Sequence, residues 1–159
     1  GLIKVIILVG YMWLCSRMAE IHRVFEYHGA EHKSIACYEA GLPLTVENVR
    51  PQRRFHPRCG TSFLFLVVFI SIIVGSFISW ENALLRMLIK LLLIPVVVGI
   101  SYELIKLAGR SDGLFTRIIS APGLWLQHIT TCEPDDGQIE CAIAALTAVI
   151  PEDENADRW

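Results

Sequence analysis

The segment EYHGAEHKSIACYE holds four side chains that could work together, His28, Glu31, His32 and Glu39. At about 100° per residue of an α-helix, they share one stripe about 100° wide. The order His-x-x-Glu-His sets two imidazoles one turn apart, where both can reach the same ion. Neutral imidazoles suit zinc, manganese or iron, and a carboxylate as third ligand leaves a position for water. The pattern predicts a divalent metal site, zinc first, with Glu31 as catalytic base.

The same stripe has a second interpretation, as the solvated face of a polar helix that carries two chance histidines. Glu39 lies on the stripe as well. We therefore favour metal binding by His28, His32 and Glu39.

Two later segments offer further ligands. RRFHPRCGTSF contains His56, a candidate third ligand, and Cys59, a candidate soft ligand. The alternative for this segment is a basic loop that anchors to lipid phosphates. GISYELIK contains Glu103, which is costly inside an apolar helix unless it is paired, hydrated or metal-bound. Its alternative is an ion pair with Lys106. The isolated histidines, His22 and His128, are interpreted as structural.

The composition places this chain near membrane proteins. Of its 159 residues 53% are hydrophobic, the mean hydropathy is +0.49, and the net charge is −2. Soluble domains are usually less apolar. The charge balance and the motifs give no sign of a nucleic-acid partner. Five cysteines without a C-x-x-C pair indicate reduced thiols rather than a disulfide framework.

Three apolar runs predict an all-α integral membrane protein in which the lipid bilayer is a partner. They are a truncated first span at about 1–16 and two full spans at about 61–80 and 84–107. The truncated run and the missing initiator methionine suggest a fragment. Arginines cluster before the second run and follow the third, and the connection between these runs holds only Glu81. The positive-inside rule then places the histidine motif and the C-terminal third in the cytoplasm.

The remaining segments complete one membrane-embedded helical domain, 1–150. A motif helix is predicted at about 18–40, and an amphipathic cytoplasmic helix follows the last span. Asp135 and Gln138 have the spacing of a capping box at a helix start. The acidic tail, 151–159, is expected to be disordered.

The motifs EYHGAEHK, LTVENVR, HPRCGTSF, SYELIKLAG, APGLWLQHITT and EPDDGQIECAIAAL resemble the YqhQ-like family of bacterial membrane proteins. The resemblance covers nearly the whole chain and implies a metal-dependent enzyme of unknown function. Family members carry an additional N-terminal region with a glycine-rich EGVMM-like stretch, which this chain lacks. The polar positions that it carries over are His28, Glu31, His32, Glu39, His56, Cys59 and Glu103.

These observations predict a metal-dependent hydrolase in the bacterial cell membrane, multi-pass, with its site facing the cytoplasm. One alternative is a non-enzymatic scaffold with a structural metal that has four protein ligands. The other is a transport or ion-handling protein, which would need a homo-oligomer or further chain to form a path.

Overall fold

The computed structural model describes residues 1–78, 82–110 and 113–151, and no strand occurs in these ranges. The predicted all-α class is confirmed. The helices are α1 Leu2–Cys15, α2 Ala19–Glu39, α3 Val46–Val49, α4 Gly60–Ser76, α5 Ala83–Leu92, α6 Ile94–Arg110, α7 Leu114–Thr130 and α8 Asp136–Thr147. The motif helix, predicted at about 18–40, is α2. Residues 152–159 of the predicted tail lie outside the described residues.

The chain divides into two compact units. The first comprises Gly1–Gly10 and Pro57–Leu126, and the second comprises Tyr11–His56 and Gln127–Trp159. The second unit is discontinuous in sequence, because its two halves lie on either side of Pro57–Leu126. The single domain expected from the sequence stays a prediction.

In the second unit, α2 packs mainly on α8 and also on the short α3. Ala30 and Cys37 lie seven residues apart on one face of α2, where they are fully buried with Val49 and Ile139. Burial of about 25 cal/mol per Å² of apolar surface makes this face the main stabilising contact of the unit. One face of α2 is therefore packed into the hydrophobic core of this unit.

The backbone before α8 lies directly against α2. The amide of Cys132 donates to the carbonyl of Phe25 at 2.8 Å. A Cβ atom on Gly29 would lie 2.0 Å from the carbonyl oxygen of Cys132, far inside van der Waals contact. Only glycine at position 29 allows this approach.

A capping box begins α8, as its sequence spacing predicts. The Asp135 carboxylate accepts from the Gln138 amide at 2.8 Å, and the Gln138 side chain accepts from the Asp135 amide at 2.9 Å. Gln138 also donates to the Glu26 carboxylate at 2.8 Å, which fixes the start of α8 to α2.

Replacing Asp135 with alanine is expected to lower the free energy of unfolding by about 1 kcal/mol, because a helix-start amide loses its acceptor. Urea unfolding followed by circular dichroism measures this loss. The control is Asp136→Asn, which removes only an exposed ion pair and should cost less than about 0.5 kcal/mol. Equal stability of Asp135→Ala and the parent would contradict the role of the cap.

In the first unit, α4 and α5 both pack on α6. Ser62 of α4 approaches α7 so closely that a Cβ on Gly123 would lie 2.5 Å from its side chain. The helical stretch Ala83–Leu107 is 25 residues long with a mean hydropathy of 2.3, and only 6% of its apolar window is buried. It is long and apolar enough to cross a membrane, in agreement with the run predicted at 84–107.

The other two predicted spans are less clear by length. Helix α4 has 17 residues and is shorter than a full span. Leu2–Cys15 passes the length test only if it is counted together with Ala19–Glu39 as one bent span. The described residues thus contain one candidate span, or two with the bent pair. Two full spans at 61–80 and 84–107 stay a prediction.

Candidate metal centre

His28 and His32 lie side by side on α2 in the second unit. Their ring centroids are 4.4 Å apart, and one ligand nitrogen of each lies within 4.8 Å of the other. Zinc–nitrogen bonds of about 2.0–2.1 Å keep two ligand nitrogens within about 4.2 Å. The separation of these nitrogens is therefore close to the one that a shared ion allows.

Backbone carbonyls orient both rings. Nδ1 of His28 lies 2.8 Å from the carbonyl oxygen of Thr130, and Nδ1 of His32 lies 2.5 Å from that of Arg54. A carbonyl oxygen only accepts, so each Nδ1 carries the hydrogen and donates. The lone pair of each ring is then on Nε2. Metal-binding histidines are commonly held in this way, with the other ring nitrogen donating to a carbonyl or carboxylate.

His56 and Glu39 extend the arrangement within the same unit. The His56 ring lies 5.8 Å from that of His32, centroid to centroid, and its Nε2 is 3.3 Å from the Glu39 carboxylate. The buried side chain of Gln127 holds the His56 backbone by accepting from its amide at 2.9 Å and donating to its carbonyl at 2.8 Å. The order of contacts is His28, His32, His56, Glu39.

A small charge network lies beside the histidines. The buried ammonium of Lys33 is 2.6 Å from the Glu133 carboxylate and donates to the Arg50 carbonyl at 2.9 Å. Arg54 contacts the other Glu133 oxygen at 2.9 Å. Burial acts to raise the pKa of Glu133, but hydrogen bonds from Lys33 and Arg54 outweigh it and hold that pKa below its usual value. Glu133 is therefore ionised at neutral pH.

Three predicted site residues remain, one on α2 and two in the first unit. Glu31 is exposed on α2, directly before His32. Cys59 is buried in the first unit at the start of α4, where its Sγ accepts from the Thr61 amide at 3.4 Å. Glu103 is exposed on α6, also in the first unit. Their roles in a metal site stay predictions.

The two histidines interpreted as structural make ordinary contacts. His22 lies 3.5 Å from Glu26 and 3.6 Å from the Cys132 sulfur, and His128 packs on the Phe55 ring at 4.6 Å. Burial raises the pKa of the Cys132 thiol, which keeps it protonated. A protonated thiol is a poor nucleophile, so the contact with His22 does not indicate a cysteine active site.

Two arginines of the basic segment before α4 form ion pairs within the protein. Arg50 makes a two-pronged contact with Asp136 at 2.7 and 3.1 Å, and Arg54 is paired with Glu133. These contacts weaken the alternative in which this segment serves only to bind lipid phosphates.

Sequence reasoning missed Thr130, Gln127 and Glu133, which orient the histidines or their neighbours. Their signal lay outside the motif, in QHITTCEPDD. The motif itself held one clue, Gly29. Glycine in a helix interior costs about 1 kcal/mol relative to alanine, so its presence there is typical of a place where another backbone segment approaches the helix closely.

A family model described as "Protein of unknown function (DUF1385)" matches residues 1–152. The chain belongs to the DUF1385 family. It is also 44% identical over 151 residues to a protein of Bacillus subtilis (strain 168) described as "Uncharacterized protein YqhQ". The predicted resemblance to a YqhQ-like family is thereby confirmed.

The aligned region covers 94% of this chain and 48% of the Bacillus protein, so the chain spans about half the length of this relative. No solved structure matches the chain. Membership of DUF1385 leaves the metal, the reaction and the fragment interpretation as predictions, because the family's function is unknown.

Proposed function

We propose that this DUF1385 protein binds one divalent metal ion, zinc first with manganese or iron as alternatives, through Nε2 of His28 and Nε2 of His32. The observation that supports this most is the pair of Nδ1–H contacts to the carbonyls of Thr130 and Arg54. A polar helix face with chance histidines gives no reason for both rings to be oriented by backbone carbonyls from outside the helix. Orientation of both lone pairs is what a metal ligand requires.

The reaction class that we propose is hydrolysis near a membrane surface on the cytoplasmic side. A divalent metal here would supply Lewis acidity, which lowers the pKa of water toward about 7. Glu31 precedes His32 on the same helix stripe and is exposed, so its carboxylate can reach solvent and accept a proton. The exposed apolar stretch Ala83–Leu107 supports membrane attachment.

A structural metal is the second candidate. The contact of His56 with Glu39 and the 5.8 Å separation of the His56 and His32 rings favour it. If both residues joined His28 and His32, four protein ligands would close the site. Cys59 stays a candidate ligand from the sequence alone, where it follows His56 by three residues.

Metal content tests the site directly. The protein is purified in detergent without added metal, and mass spectrometry should find near-stoichiometric zinc, manganese or iron. We expect the His28→Ala/His32→Ala variant to lose this metal, since both orienting contacts and both ligands disappear. The matched control is His22→Ala/His128→Ala, which removes the same number of histidines and should keep it.

An empty parent that also stays empty after reconstitution would overturn the metal site. If the parent binds metal, substitution with cobalt(II) distinguishes a hydrolytic site from a structural one. A small hydroxamate should change the visible spectrum of an open, hydrolytic site. An unchanged spectrum would favour the closed, structural one.

A further inference from the structure

The two carbonyls that orient the histidines lie outside α2. Thr130 is 102 residues from His28 in the chain, and Arg54 is 22 residues from His32. Arg54 lies in the loop between α3 and α4, and Thr130 is the last residue of α7. The orientation of the rings therefore depends on whatever holds these two segments to α2.

The carboxylate of Glu133 connects the Thr130 segment, the Arg54 segment and α2. Glu133 lies three residues after Thr130, and its two oxygens contact Lys33 of α2 at 2.6 Å and Arg54 at 2.9 Å. Arg54 is the residue whose carbonyl accepts from His32. Lys33 is the residue directly after His32. Glu133 thus joins both carbonyl-bearing segments to the helix at the position of the histidines.

The ion pair between Glu133 and Lys33 matters energetically because Lys33 is buried. The Glu133 side chain is 62% exposed, and an exposed ion pair alone contributes little. The Lys33 side chain is only 7% exposed. A buried ammonium that loses its carboxylate keeps one neutral acceptor, the Arg50 carbonyl, so the helix and the loop must shift to hydrate it.

We propose that Glu133 is a positioning residue that sets the metal affinity of the His28–His32 pair. This role rests on the metal site proposed above. Glu133 holds the segments that carry the Arg54 and Thr130 carbonyls, and these carbonyls in turn fix the tautomer and the orientation of the two rings. Loss of such orienting groups typically costs 10–100-fold in metal affinity.

The test compares Glu133→Gln with Asp136→Asn by cobalt(II) titration of the full chain in detergent. Both changes convert a carboxylate paired with an arginine into an amide. Asp136 contacts Arg50, whose ion pair is exposed on both sides and touches neither orienting carbonyl. We expect cobalt affinity to fall about 10–100-fold in Glu133→Gln and less than about 2-fold in Asp136→Asn.

A second readout separates positioning from general loss of structure. In the metal-free protein, nitrogen NMR of the ring of His32 should show the Nδ1–H form in the parent and a smaller share of it in Glu133→Gln, with the helical circular dichroism unchanged. If Glu133→Gln does not fold, Glu133→Asp keeps the charge with a shorter reach and should show a several-fold loss.

Unchanged cobalt affinity in the folded Glu133 variant would overturn the positioning role and leave the metal site standing. A parent that binds no cobalt would overturn the metal site itself and this role with it. An equal loss in Asp136→Asn would also overturn the inference, because it would show a general effect of removing charge from this face.

Discussion

Replacing Gly29 with alanine is expected to lower the free energy of unfolding by about 2–4 kcal/mol. Alanine is the better helix former by about 1 kcal/mol, so propensity alone predicts a gain. The steric clash makes the net change in stability a loss, because the new Cβ would lie 2.0 Å from the Cys132 carbonyl oxygen. That oxygen belongs to backbone that is itself hydrogen-bonded to α2, and it must move by more than about 1 Å to restore contact distance.

The movement should also weaken metal binding, since Thr130 is two residues before Cys132 and carries the carbonyl that orients His28. Denaturant unfolding and metal titration of Gly29→Ala measure both effects. The control is Gly99→Ala, the same change in α6, where nothing lies within 4 Å of the new Cβ. A Gly29→Ala protein as stable as the parent would show that the 130–133 segment does not rest on α2.

The second large effect is expected for Gln127→Leu, which keeps the side-chain volume and removes both polar atoms. Gln127 is fully buried, and its amide group satisfies the backbone amide and carbonyl of His56. Removing the two side-chain contacts to this buried backbone costs about 1–3 kcal/mol each, so we expect a loss of about 2–6 kcal/mol.

Urea unfolding measures the stability, and amide hydrogen exchange at His56 reports the local contact, which should lose protection. Gln52→Leu is the control, because the Gln52 side chain donates to the carbonyl of Asn48 one turn earlier in a partly exposed position, and its loss should cost less than about 1 kcal/mol. A Gln127→Leu variant that retains His56 protection would argue against the proposed hold on the His56 backbone.

Local signals in the sequence were sufficient for several of the helices and for one cap. The helical stripe from His28 to Glu39 predicted α2 to within about one residue at either end. The spacing of Asp135 and Gln138 predicted the capping box, since both partners of that motif lie within one turn. The apolar run at 84–107 predicted a membrane span, and the structure has a helical stretch of sufficient length and hydropathy there, because both are properties of the run itself.

The orienting contacts could not be predicted in the same way. Periodicity tells which side chains share a face, but it does not tell which backbone carbonyl from 102 residues away will meet that face. Lys33 illustrates the limit: in the sequence it is one more positive charge for topology, and in the fold it is a buried ammonium held by Glu133. The role of Gln127 likewise exists only through its tertiary partner, His56.

The discontinuity of the second unit bears on how the protein is made. Residues 11–56 leave the ribosome before the whole of the apolar segment 57–126, and their packing partner α8 is synthesised after it. At about 5–20 residues per second, those 70 or so residues take about 4–14 s. During that interval Ala30, Cys37 and Val49 have no α8 to pack against, so this core is completed only after the whole apolar segment and α8 have been synthesised.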